Sequence, residues 1–381
     1  MKLGGAEMKK RVVILLTFIL VGLIAFIQTA LAAETWRIGA IISTTGHYAP
    51  LGTAERQAMI SLSAKINGQG GILGRKLEVL YEDDEGIPAK SAFLAKKLIY
   101  QEKVIGILGP SVTACAMAAA AVCEEAGISM VFMTPTKEVV GGKKYIFHVT
   151  PGSDLDAIFI SRFIENKLKA KTVAILHGPS QYDMSVARLV TQEVKKNPKL
   201  ELIASEKWSQ DDKDMTPYLL NIRAKKPQAL VIGGSAFGPA VAIRNIRDLK
   251  MDIPIICTSG TAQQEFLDLA GEAANGVYVT SRLQYGNPLP EEKDIFETIQ
   301  REYKVLPSSF HANGWDALLV MAEVIKRGNG DPKSIRDALE NLKNFKGAIG
   351  TYNMSPTDHN GLTTECVVML QIKNRMWAVA D

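Results

Sequence analysis

The sequence predicts an α/β fold in two lobes, each on a mainly parallel sheet, and three observations carry that expectation. The chain has 381 residues, more than one compact core usually holds. From Trp36 onward, short apolar runs alternate with amphipathic stretches, the pattern of β-α units. A Pro-Gly loop in "HVTPGSDLDA", His148 to Ala157, then interrupts that rhythm before a fresh series begins.

Residues 8 to 33, "MKKRVVILLTFILVGLIAFIQTALAA", set a basic cluster before an apolar run and small residues at Ala30 and Ala32. This is the pattern of a secretory signal peptide, residues 1-32, cleaved after Ala32, with Met8 as the better start. The alternative is a retained anchor helix over Val12 to Ile27. No cysteine lies near the cleavage point to carry a lipid. The formal charge of +4 belongs mostly to this leader, since its removal leaves 40 basic against 39 acidic side chains. A nearly neutral mature chain without Lys/Arg blocks carries no footprint for nucleic acid. A small partner is expected, with a mature protein that is monomeric and outside the membrane.

Nine apolar runs read as strands: "WRIGAII", "KLEVLYED", "VIGILG", "ISMVFM", "TVAILHG", "LIASEKW", "QALVIGG", "IPIICTS" and "GVYVTS". Between the first two, "AERQAMISLSAKINGQG" reads as a helix with Ala58, Ile60, Leu62 and Ile66 on its buried side, ended by Gly68. The next helix, "PAKSAFLAKKLIYQE", places Pro88 in its opening turn. Further on, amphipathic helices are expected near Glu291 to Tyr303 and His311 to Arg327, then strands in "CVVMLQI" and "MWAVA".

Several chemistries find no support. Neither GxGxxG after a strand nor GxxxxGK[ST] occurs, and no cofactor is expected. The five histidines never stand at metal-ligand spacing, so no metal is expected. "GGSAFG" departs from a nucleophile elbow, because Phe237 stands where the second glycine belongs. "YEDDEG" lacks the alternating oxygen ligands of a calcium loop. Cys115, Cys123, Cys257 and Cys366 form no CxxC pair and read as small buried residues. No catalytic residue is assigned; an esterase or amidase using Ser235 would need a base that the sequence does not supply.

The segment "GPSVTACAMAAAAVCEEAGISMVFMTPT", Gly109 to Thr136, is more informative. A buried strand ends at Gly109, a helix follows with Ser111 or Thr113 as its cap, Gly127 stops it, and "ISMVFM" returns as a strand. Parallel strands deliver their C-terminal ends to one edge, so Thr113 can share a crevice with Thr134, Pro135 and Thr136. The unpaired N–H groups of a helix N-terminus suit a carboxylate there without any basic side chain.

Together with "INGQGGILGRKLEVLYEDDEGIPAKSAFLAKKLI", "TVAILHGPSQYDMSVA", "PQALVIGGSAFGPAVAIRNIRDLKMDIPIICTSG" and "HANGWDALLVMAEVI", that segment resembles type I periplasmic substrate-binding proteins of ABC transporters. The similarity is to their branched-chain amino acid (leucine/isoleucine/valine) group and spans essentially the whole mature chain. It implies two Rossmann-like lobes joined by a three-crossing hinge, here residues 33-152 plus 283-350 and residues 153-282 plus 351-381. It also implies a periplasmic location and an ABC permease with its ATPase as partner.

On the resemblance, Thr113 holds a ligand carboxylate, Thr136 is its partner, and the Thr134 and Pro135 carbonyls receive an ammonium. Val112 adjoins Thr113, and Tyr182 closes over the ligand. Three features depart from the leucine-type pattern. Ser259 stands where those proteins carry an acidic ammonium partner, leaving Asp183 or Asp316 as substitutes. The loop "STTGHYAPLG" places Leu51 where an aromatic is common, with His47 and Tyr48 nearby. Ser235 and Ala236 replace bulkier aromatics. The expected function is capture of a small carboxylate, a branched-chain or related amino acid, by lobe closure. The alternatives are a carboxylic acid without an amino group, or a sensor built on the same lobes.

Overall fold

A computed structural model describes residues 35–380; the expected leader lies outside them. Strands β1 (Trp36–Ile42), β2 (Leu77–Asp83), β3 (Ile107–Leu108), β4 (Met130–Phe132) and β5 (Ile146–His148) form a sheet in the order β2-β1-β3-β4-β5. All its pairings are parallel. The connecting helices are α1 (Ala49–Gly68), α2 (Pro88–Lys96) and α3 (Thr113–Ala126). The sequence pattern does not predict strand β5: three residues are too few to show a period, and pairing with β4 makes them a strand.

In α1 the buried face is Glu55, Ala58, Met59 and Leu62, at helical spacing. Ile60 falls on the opposite side and is 39% exposed, which corrects its expected burial. Ile66 is half-buried. Helix α3 buries Cys115, Ala116, Ala119, Ala120 and Cys123, small side chains that let it lie close to the sheet and to α2.

After α4 (Ser153–Phe163), a second sheet is laid down by β6 (Thr172–His177), β7 (Glu201–Lys207), β8 (Ala229–Gly233), β9 (Ile255–Cys257) and β10 (Tyr278–Ser281). Its helices are α5 (Gln181–Lys196), α6 (Thr216–Ala224), α7 (Phe237–Asp248) and α8 (Gln264–Ala270). Next come α9 (Lys293–Tyr303), α10 (Ser309–Gly328) and α11 (Pro332–Glu340), then the short pair β11 (Phe345–Lys346) and β12 (Thr351–Tyr352). Helix α10 lies along α1, back at the first sheet. Strands β13 (Val368–Lys373) and β14 (Met376–Val379) close the second sheet antiparallel, in the order β14-β13-β10-β9-β8-β6-β7.

Beyond β5, β10 and β12 the chain passes from one sheet's surroundings to the other's. Asp316 of α10 ties two of these stretches together. It accepts hydrogen bonds from the Ala348 and Ile349 N–H groups and from the Tyr352 hydroxyl, which lies 2.9 Å from the Val149 carbonyl oxygen. Burial pushes its carboxyl up to about 6. Of the cysteines, Cys115, Cys123 and Cys257 are buried as expected, Cys366 is only half-buried, and all four are free thiols.

Candidate functional site

A chamber of about 270 Å³ lies between the C-terminal edges of the two sheets. The turn from β3 into α3 and the end of β4 supply Ser111, Val112, Thr113, Ala114, Met133, Thr134 and Pro135 to its wall. Tyr48 and Leu51 enter from the start of α1, and Phe310 and Asn313 from the start of α10. The second sheet contributes Ser180, Gln181 and Tyr182 at the start of α5, Ser235 after β8, Ser259 and Gly260 after β9, and Arg282 after β10.

The residue at the N-cap of α3 is Val112, which makes no side-chain hydrogen bond to the first turn. Neither expected cap acts as one: Ser111 donates to the buried Glu55 carboxylate, and the Thr113 hydroxyl turns to β4. First-turn N–H groups have no partner within their own helix, so an apolar cap leaves them open to an anion. Thr113 Oγ1 lies 2.7 Å from Thr134 Oγ1 and 3.0 Å from Thr136 Oγ1. Three hydroxyls carry three protons and these two contacts use two, so one remains for an outside acceptor. Thr136 itself is not on the chamber wall; it backs Thr113 from behind.

The opposite wall is organised around a buried ion pair. Arg282 Nη1 and Nη2 donate to the two oxygens of Asp156 at 2.6 and 2.7 Å, with both side chains almost wholly buried. Ser259 donates to Asp156 Oδ2 at 2.9 Å and accepts from Arg282 Nη2 at 3.1 Å. Burial acts against the guanidinium charge, and the Asp156 carboxylate more than compensates, holding the Arg282 pKa above its ordinary value. Tyr182 directs its hydroxyl into the same loop, donating to Thr258 at 3.3 Å and accepting from the Gly260 N–H at 3.1 Å. Burial, then the Asp156 charge, raises its pKa, so the phenol stays neutral. What Tyr182 offers the chamber is its ring.

Farther out, a second chamber of about 680 Å³ shares Tyr48, Leu51, Ser180 and Ser235 with the first. His47, Ala236 and Asp183 belong to this outer space. Asp183 forms a capping box with Ser180 at the start of α5, and desolvation raises its carboxyl to about 6. Asp316 lies within the helix and hydrogen-bond network described above, away from both chambers. Neither carboxylate therefore stands in for the acid missing at Ser259.

Nine residues named from the sequence thus line one chamber: Tyr48, Leu51, Val112, Thr113, Thr134, Pro135, Tyr182, Ser235 and Ser259. The sequence pattern does not mark Arg282, Asp156, Phe310 or Asn313 as site residues. The ion pair joins residues 126 apart in the chain, and no local pattern marks such a pairing.

The pattern of the family described as "Periplasmic binding protein" matches residues 35–376. The leucine-, isoleucine-, valine-, threonine-, and alanine-binding protein of Pseudomonas aeruginosa is 23% identical over 325 residues, covering 84% of this chain and 86% of the relative. The Leu/Ile/Val-binding protein of Escherichia coli K12 is 24% identical over 319 residues, covering 83% and 86%. Among solved structures, the branched-chain amino acid transporter substrate-binding protein LivJ of Streptococcus pneumoniae, in complex with isoleucine, superposes with a TM-score of 0.82 at 26% identity. That likeness covers 91% of this chain and 99% of the other. The leucine-binding protein LivK of Thermotoga maritima shares the fold, with a TM-score of 0.82 at 22% identity. With two α/β sheets facing a common chamber and a family match over nearly every described residue, the chain belongs to the periplasmic binding protein family.

Proposed function

We propose that this chain is the solute-binding component of an ABC importer and captures a small carboxylate-bearing ligand between its lobes. The carrying observation is the Thr113–Thr134–Thr136 hydroxyl cluster at a helix start whose cap is apolar, facing a mostly apolar chamber. Such a site satisfies a carboxylate with main-chain and hydroxyl donors, while Leu51, Met133 and Phe310 cover an apolar body. The names of the relatives support a ligand of the branched-chain amino acid class. The wall around Ser259 favours a second reading, a carboxylic acid without an amino group.

The lobes of this proposal are residues 33-152 plus 283-350 and residues 153-282 plus 351-381; the pairing of β12 with β11 favours a third crossing just after Tyr352. Ligand contacts from both lobes stabilise the closed form, which a permease with its ATPase then recognises. No covalent step is involved. The working form is a periplasmic monomer released by cleavage after Ala32. A thermal-shift comparison of small apolar carboxylic acids with their carboxamides tests the reading, because a bound ligand raises apparent stability. Acids should raise Tm and amides should not; equal shifts would remove the carboxylate from the account.

A further inference from the structure

We propose that the inner chamber selects carboxylates that carry no α-ammonium group, with the Arg282–Asp156 pair as the device that excludes zwitterions. The inference rests on the carboxylate reading above and specifies its ligand class.

Among the described residues, no Asp or Glu lines the inner chamber, and Arg282 does. Three carboxyl groups reach its lining residues from behind through hydrogen bonds, and none of them lines the chamber itself. Asp156 is the acid at the Ser259 wall, but Arg282 takes both of its oxygens and Ser259 donates to one of them. Glu55 lies wholly buried behind Ser111, which donates to it and separates it from the chamber, and burial raises its pKa well above the ordinary value. Asp183 caps α5 through Ser180 and borders the outer chamber.

The remaining charge is of one sign, beside neutral acceptors such as the Asn313 amide oxygen. The starts of α3 and α10 both reach the chamber, and a helix start presents partial positive charge. An anion gains from each of these features. An ammonium placed beside the carboxylate meets carbonyl and hydroxyl oxygens only, and burying it without a counter-charge is costly. The mostly apolar wall, with the Tyr182 ring and Phe310, fits an aromatic or branched aliphatic acid.

The experiment is calorimetric titration of the full mature chain with matched pairs: leucine against 4-methylpentanoate, and phenylalanine against 3-phenylpropanoate. The deaminated member of at least one pair should bind about tenfold or more tightly than its amino acid. Amino acids binding equally or better would overturn the inference while leaving the carboxylate reading standing. Failure of both members of both pairs, together with failure of the acid-against-amide comparison, would remove both. Arg282→Gln, checked for folding by circular dichroism, releases Asp156 and should narrow the gap between pair members. An unchanged ratio in the folded variant would overturn the role given to the ion pair, and the wild-type comparison stands even if the variant does not fold.

Discussion

At the residue scale, Thr113 is the centre of the site because its hydroxyl meets both Thr134 and Thr136. Thr113→Ala removes that link and one donor to the ligand. Calorimetry should show binding of a confirmed ligand weakened by about 1–3 kcal/mol, the usual range for a hydrogen bond to a charged group. Thr113→Ser keeps the hydroxyl and should lose much less. A second prediction concerns stability: Arg282→Met leaves the buried Asp156 charge without its cation and should cost about 3–5 kcal/mol of unfolding free energy, measured by urea denaturation. The threonines were legible in the sequence because strand-to-helix turns gather residues that are near neighbours in the chain. The ion pair was not, since only the folding of the second sheet brings Arg282 against Asp156.

At the element scale, α1 and α10 set the near wall by lying in close contact. Gly314 makes this possible: a Cβ there would stand 2.3 Å from the Glu55 carbonyl oxygen, which belongs to the α1 backbone. Gly314→Ala must push the helices apart and should destabilise the chain by about 1–3 kcal/mol, the usual cost of overpacking, measured by urea denaturation. Because Phe310 and Asn313 lie on α10, ligand affinity should fall with it; unchanged stability would contradict the packing argument. The α10 helix itself was legible from its apolar period, with bounds extended to Ser309 and Gly328. Its partner was not, because helix pairing depends on shape rather than on period. The misplacement of Ile60 has a similar cause: α1 turns its polar Glu55 and Ser61 inward, which blurs the amphipathic pattern.

At the scale of the whole molecule, the buried thiols give the fold a direction of pH dependence. Burial raises Cys115 and Cys123 from 9.0 to about 12, and raises Cys257 as well. An unfolded chain loses these protons near the ordinary thiol value while the native chain keeps them. Stability is therefore greatest below that value and falls as pH rises towards 12. Urea midpoints should drop between about pH 8 and about pH 11, and Cys123→Ala should flatten the slope; a level profile would contradict the assignment. The alternating α/β pattern was legible along the chain. The return of the C-terminal strands to the second sheet came only with the resemblance, because antiparallel closure by β13 and β14 breaks the βα alternation.

The proposed site holds a carboxylate between the two sheets with main-chain dipoles and the Thr113 and Thr134 hydroxyls, backed by Thr136. The most direct measurement is a crystal structure of the mature chain with an acid that raises its Tm. Carboxylate oxygens are expected within hydrogen-bond distance of Thr113 Oγ1 and the first-turn N–H groups of α3, with the apolar body against Tyr182 and Phe310. A carboxylate held elsewhere, or a ligand whose charged end turns away from α3, would contradict it.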